Sequence, residues 1–177
     1  MNTGTTLYDG GCTCRFVRYR MTTKPLFVHC CHCRWCQRET GASFALNALL
    51  ESDRVTLLEG EAEAVDTPSN SGQGQLIVRC PKCRVALWSF YGGSKGGSKG
   101  GSKADSKGTS NAIAFIRVGT LDEPDRLPPD IHIFTASKQP WVVLPPGTHA
   151  VAEYYESAAM WPAASLARLT AVRGPPP

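Results

Sequence analysis

The sequence predicts a mainly β chain on three observations. Eight or nine short runs rich in β-branched and aromatic residues are punctuated by Gly, Pro, Asp and Asn, no sustained helical periodicity occurs before residue 162, and eight cysteines sit in tight clusters. With 177 residues and 42% hydrophobic composition the chain suits one globular unit over 1–177, with a core at about residues 8–145.

In chain order, Leu7-Tyr8 leads into Asp9-Gly10-Gly11, which reads as a turn, and the run from Phe16 to Met21 reads as a strand. Pro25 ends that strand, and Leu26 to His29 begin another that runs straight into the cysteines. Thr40-Gly41 reads as a turn entering a buried apolar segment. Strands follow at Val55 to Gly60, Ala62 to Asp66 and Leu76 to Arg79, with a polar loop from Pro68 to Gly74. Ala86 to Tyr91 and Ala112 to Val118 are strands flanking residues 92–110. That stretch repeats Gly-Gly-Ser-Lys and is a flexible insertion by composition, looping out between neighbouring strands. After a proline-ruled connection, Ile131 to Phe134 is a short strand, and Trp141-Val142-Val143-Leu144 stops at Pro145-Pro146-Gly147. Residues 146–177 form an extension with one helix, begun at Pro162 and carried by alanine and leucine.

The net charge of +4 arises mostly from Lys95, Lys99, Lys103 and Lys107 in the insertion, so the body is nearly neutral and gives no reason to expect a nucleic-acid partner. No apolar run follows a basic start and none reaches membrane-spanning length, so a cytoplasmic protein with no membrane partner is expected. There, eight cysteines spaced as C-x-C, C-x-C-x-x-C and C-x-x-C point to metal thiolates rather than disulfides.

The densest stretch runs from Cys30 to Gly41. On an extended backbone Cys31 and Cys33 share a face, and a tight turn through Arg34 and Trp35 brings Cys36 back to them. Cys30 and His32 fall on the opposite face, and adjacent cysteines seldom ligate one ion, so Cys30 reads as a bystander. The economical division places Cys12, Cys14, Cys80 and Cys83 around one closed site and Cys31, Cys33 and Cys36 around a second ion with an open position. The rival is a single zinc ribbon of Cys33, Cys36, Cys80 and Cys83, which strands three cysteines.

Gly-Gly-Cys12-Thr-Cys14, then Cys31-His-Cys33-Arg-Trp-Cys36-Gln-Arg-Glu-Thr-Gly, then Cys80-Pro-Lys-Cys83 together resemble the glutathione-dependent formaldehyde-activating enzyme family, whose zinc domain also occurs in centromere protein V. Gly119-Thr-Leu-Asp122, His132 and Trp141 also resemble family positions, so the similarity spans roughly residues 8–145. The resemblance implies a β-tent fold of several short antiparallel sheets. It implies two zinc ions, a structural one on the outer cysteines and a catalytic one on Cys31, Cys33 and Cys36. It further implies a carbon–sulfur lyase that joins glutathione, or another thiol, to formaldehyde or a related aldehyde. Where family members often carry glycine after each outer cysteine pair, this chain has Arg15 and Arg84, which are strained if those positions need positive φ.

An open zinc with three thiolates suits sulfur chemistry, either holding a substrate thiolate or polarising a carbonyl oxygen. His29, His32, Gln37, Thr40 and Ser43 are candidates for proton or hydrogen-bond work, with a structural role the commoner one for the histidines. Arg34 and Arg38 are candidates to meet a substrate carboxylate, and Tyr154, Tyr155 and Trp161 either line the pocket or belong to the core. The competing function is a non-catalytic zinc-binding module for protein contacts, favoured if a protein ligand closes the three-cysteine site.

Overall fold

The computed structural model describes residues 7–69, 71–91 and 111–173; the composition-defined insertion at 92–110 lies outside the described residues. Among the described residues ten strands form two sheets. β1 (Tyr8–Gly11), β2 (Arg18–Met21) and β5 (Val55–Glu59) make a three-stranded antiparallel sheet in the order β1-β2-β5. The larger sheet comprises β3 (Phe27–Cys31), β4 (Ala45–Glu51), β6 (Glu63–Thr67), β7 (Gln75–Arg79), β8 (Ala86–Tyr91), β9 (Ile113–Arg117) and β10 (Ile131–Ile133). Its order is β10-β3-β4-β9-β8-β7-β6, antiparallel except for the parallel edge pair β10–β3.

Two local expectations change. Asp9-Gly10-Gly11 is strand rather than turn, because Gly10 and Gly11 are needed for close approach. A Cβ on Gly10 would lie 2.7 Å from the Thr120 carbonyl oxygen, and one on Gly11 would lie 2.4 Å from that of Val17. The chain after Cys33 is not a tight turn but a two-turn helix, α1 (Arg34–Thr40), whose period was hidden by its brevity. Gly41 ends it at φ 69°, donating its N–H to the Gln37 carbonyl.

The central strands β3 and β4 are buried along almost their whole length because both faces of the large sheet are covered. On one face Val28, Ala48, Leu50, Ala114 and Ile116 join Val17, Tyr19 and Met21 in a core shared with the three-stranded sheet. On the other, Phe27, Leu49 and Ile113 pack with Tyr155 and Trp161 from the C-terminal segment. By contrast β5 and β6 are largely exposed.

The C-terminal segment carries α2 (Ser157–Met160) and α3 (Ala163–Arg173), the latter being the helix foreseen after Pro162. It is fastened by side chains: Ser165 donates to the Leu26 carbonyl at 2.6 Å, and Arg168 forms a two-pronged pair with the buried Glu51 at 2.8 and 2.5 Å. Trp161 stacks on Phe27 and donates its indole N–H to the Tyr155 hydroxyl. The Trp141–Leu144 run forms no strand; its turn is held in part by Lys138, which donates to the Val142 carbonyl.

Candidate metal centre

The structure brings the cysteines together in two groups and adds a third group that mixes cysteine and histidine. Cys12, Cys14, Cys80 and Cys83 place their sulfurs within 4.8 Å of one another, and so do Cys31, Cys33 and Cys36. Cys33 and Cys36 therefore stand in a different group from Cys80 and Cys83.

The outer group is built on two hairpin tips. Cys12 and Cys14 lie in the β1–β2 connection and Cys80 and Cys83 in the β7–β8 connection, so the four thiols join the two sheets. In each connection the first cysteine's N–H reaches a carbonyl five residues on: Cys12 to Val17 at 3.1 Å and Cys80 to Val85 at 3.0 Å. Each connection turns back at an arginine in the left-handed region, Arg15 at φ 60° and Arg84 at φ 63°. The strain anticipated at these two positions is thus present. Backbone donors already favour thiolate here: the Val85 N–H, followed by the Cys14 N–H, holds Cys83 down at about 6. Sulfur separations of 3.5 Å (Cys12–Cys14) and 3.7 Å (Cys14–Cys80) are close to the edges of a tetrahedron with zinc–sulfur arms of about 2.3 Å.

The central group sits where β3 passes into α1. Cys31 is the last residue of the strand, Cys33 is the N-cap of the helix with its sulfur accepting the Cys36 N–H at 3.3 Å, and Cys36 lies in the first turn. Hydrogen bonds from the Cys31 and Cys36 thiols push Cys33 down to about 2, while those with Cys33 and Cys36 push Cys31 up, so within the group a thiolate is favoured on Cys33. Behind it lies an ionic cluster that sequence reading did not find. The buried Glu39 carboxylate is shared by Arg79 at 2.5 Å and Arg117 at 2.9 Å, and Arg117 also donates to Asn47 at 2.5 Å. Two guanidiniums against one carboxylate leave a net charge of about +1 beside the thiols, and Arg117 is close enough to act on Cys36. Its signal in sequence, Glu39 on the helix and arginines ending two strands, was too scattered to recognise.

The remaining candidates divide. Gln37 is a buried strut, donating to the carbonyls of His32 (2.7 Å) and Ser137 (3.0 Å). Thr40 bonds back to the Cys36 carbonyl at 2.7 Å, and Ser43 is half-buried in the loop before β4. Arg34 and Arg38 are exposed, Arg34 donating to the Gln37 side chain. His29 is buried among Phe115, Tyr154 and Tyr155 and stays neutral, its pKa lowered to about 3 by burial and by Arg117. Tyr155 and Trp161 are core residues, whereas Tyr154 is half exposed. Cys30 stands outside the central group, as expected, but with His32 and His132 it makes up the third group. A cleft of about 510 Å³ opens beside the carboxyl end of α1, lined by Thr40, Phe44, Leu46, Arg117, Asp125 and Pro128 among others.

A mainly β chain with two thiol groups, one spanning two sheets and one at a helix start, defines a cysteine-cluster β protein with donor sets suited to metal ions. The model of the family "glutathione-dependent formaldehyde-activating enzyme" matches residues 7–137, and the chain belongs to this family. Membership suggests an enzyme of the formaldehyde-activating kind. No curated protein matches the chain. No helix among the described residues is long and apolar enough to cross a membrane.

Proposed function

We propose that the chain is a zinc-dependent carbon–sulfur lyase-type enzyme that adds a thiol, glutathione or a relative, to formaldehyde or another small carbonyl compound. A structural zinc would be held by Cys12, Cys14, Cys80 and Cys83, and a catalytic zinc by Cys31, Cys33 and Cys36. The carrying observation is the central group itself: three convergent thiols on a strand end and a helix start, with no fourth Cys, His, Asp or Glu joining them among the described residues. Both donor sets fit the metal. All-sulfur ligation suits zinc, and three thiolates with a dication carry about −1, which the +1 of the Arg79–Glu39–Arg117 cluster offsets.

When bound at the central group, zinc supplies a Lewis acid able to hold a sulfur ligand as thiolate or to polarise a carbonyl oxygen. The chain supplies the rest. The α1 N-terminus fixes Cys33 through the Cys36 N–H, Arg117 supports negative charge at Cys36, and Cys31 and Cys36 share an apolar cluster with Phe115, Tyr155 and Trp161. In the net reaction the sulfur–carbon bond forms, the carbonyl π bond breaks, and the proton lost by the thiol ends on the new hydroxyl.

The test is exchange NMR with ¹³C-formaldehyde and glutathione. The zinc-loaded protein is expected to accelerate interconversion of free and S-hydroxymethyl carbon without moving the equilibrium, and Cys33→Ser to abolish the acceleration. Rates equal to the uncatalysed reaction for every thiol and aldehyde tried, with the central group loaded, would favour the non-catalytic binding module instead.

A further inference from the structure

Cys30, His32 and His132 are three polar side chains at 2%, 0% and 8% exposure, converging in a part of the molecule that neither thiol group uses. The parallel register sets His132 of β10 directly beside Cys30 of β3, on one face of the sheet. His32 continues the alternation two residues on, held there by its N–H to the Ile133 carbonyl at 3.0 Å. Cys31 and Cys33 alternate with them and point to the other side. His32 Nε2 lies 2.9 Å from His132 Nδ1 and 3.6 Å from Cys30 Sγ.

Hydrogen bonding alone satisfies this arrangement poorly. Only one hydrogen fits on the 2.9 Å line between the two nitrogens, so the Cys30 hydrogen faces a nitrogen already engaged. A cation accepts one lone pair from each of the three atoms at once. Zinc arms of about 2.0 Å to nitrogen and about 2.3 Å to sulfur give tetrahedral edges of roughly 3.3 Å between nitrogens and roughly 3.5 Å from nitrogen to sulfur. The Cys30–His32 edge is already close to this value, and the nitrogen edge needs a small opening of the stacked rings.

We propose that Cys30, His32 and His132 form a third metal site, taking a late first-row cation that prefers nitrogen and sulfur, such as zinc. The imidazoles serve as neutral ligands and Cys30 gives up its proton on binding. Three protein ligands leave one position for water, on the side of His132, the most exposed of the trio. Cys30 lies on the strand that delivers Cys31 and His32 directly follows it, so an ion here would brace the backbone of the central group from behind.

The test is anomalous diffraction at the zinc edge from crystals of the full chain equilibrated with zinc, with metal analysis of the same protein. A peak is expected within about 2.5 Å of Cys30 Sγ, His32 Nε2 and His132 Nδ1, separate from those at the other two groups. Cys30→Ser and His132→Ala are each expected to lower the zinc content of folded protein by one equivalent. Cys33→Ser should leave this peak intact. The absence of density between the three atoms in wild-type crystals whose other groups are filled would overturn the proposal, whatever the variants do. Because the central group gives its own peak, failure here leaves the catalytic reading untouched, and failure there leaves this site standing.

Discussion

The two thiol groups differ in what surrounds them. The outer four cysteines come from hairpin tips in separate sheets, 66 residues apart at the Cys14–Cys80 contact, and are satisfied by sulfur and backbone N–H groups alone. The central three come from one six-residue stretch, and they meet a buried ionic cluster, an aromatic-rich apolar cluster and a helix N-terminus. On the proposed reading, a group that ties distant segments together and offers four thiols of its own serves the fold. A group that is local in sequence contributes little chain connection, and its surroundings instead tune charge and access.

The sharpest way to break this contrast is to remove one cysteine from each group. Cys80→Ser is expected to unfold or insolubilise the chain, since structural zinc contributes on the order of 10 kcal/mol of apparent binding energy in small zinc domains. Cys33→Ser should lower the thermal midpoint far less while removing activity. Equal destabilisation, followed by circular dichroism on heating, would erase the division between them.

Next in size is Glu39→Gln, which leaves Arg79 and Arg117 without their shared carboxylate. Loss of a buried partner is expected to cost about 3 kcal/mol. The freed positive charge should also strengthen anion binding at the central group. Denaturant unfolding measures the first effect. The second is read by replacing zinc with cobalt and following the ligand-field bands during titration with glutathione, which should saturate at lower thiol concentration than in wild type. No change in either measurement would remove the ionic cluster from the account.

The smallest effect belongs to the outer group. Arg15→Gly and Arg84→Gly each relieve a left-handed non-glycine residue and should stabilise by up to about 1 kcal/mol, a rise of a few degrees in thermal midpoint. Arg84 gives up an ion pair with Glu63 in the exchange, but both side chains are about half exposed or more, and such a pair contributes little. A fall in midpoint for both variants would show that the arginines are needed at the hairpin tips for something other than backbone conformation.

The β-rich character, most strand positions, the C-terminal helix and the separation of cysteines into four and three were legible from spacing and residue type. Those signals are local: period-two alternation, proline and glycine punctuation, and cysteines two or three residues apart. Four features came only from tertiary structure. The strand at Gly10-Gly11 depends on Thr120 and Val17 closing against it, and α1 is too short for its period to be read. The Glu39 cluster gathers residues from 39, 47, 79 and 117, and the Cys30–His32–His132 group depends on a parallel pairing across 100 residues. Spacing along the chain determines which side chains share a face over a few residues. Which distant face they meet is set by sheet order and register, and that is where the charges and the additional ligands of this protein come together.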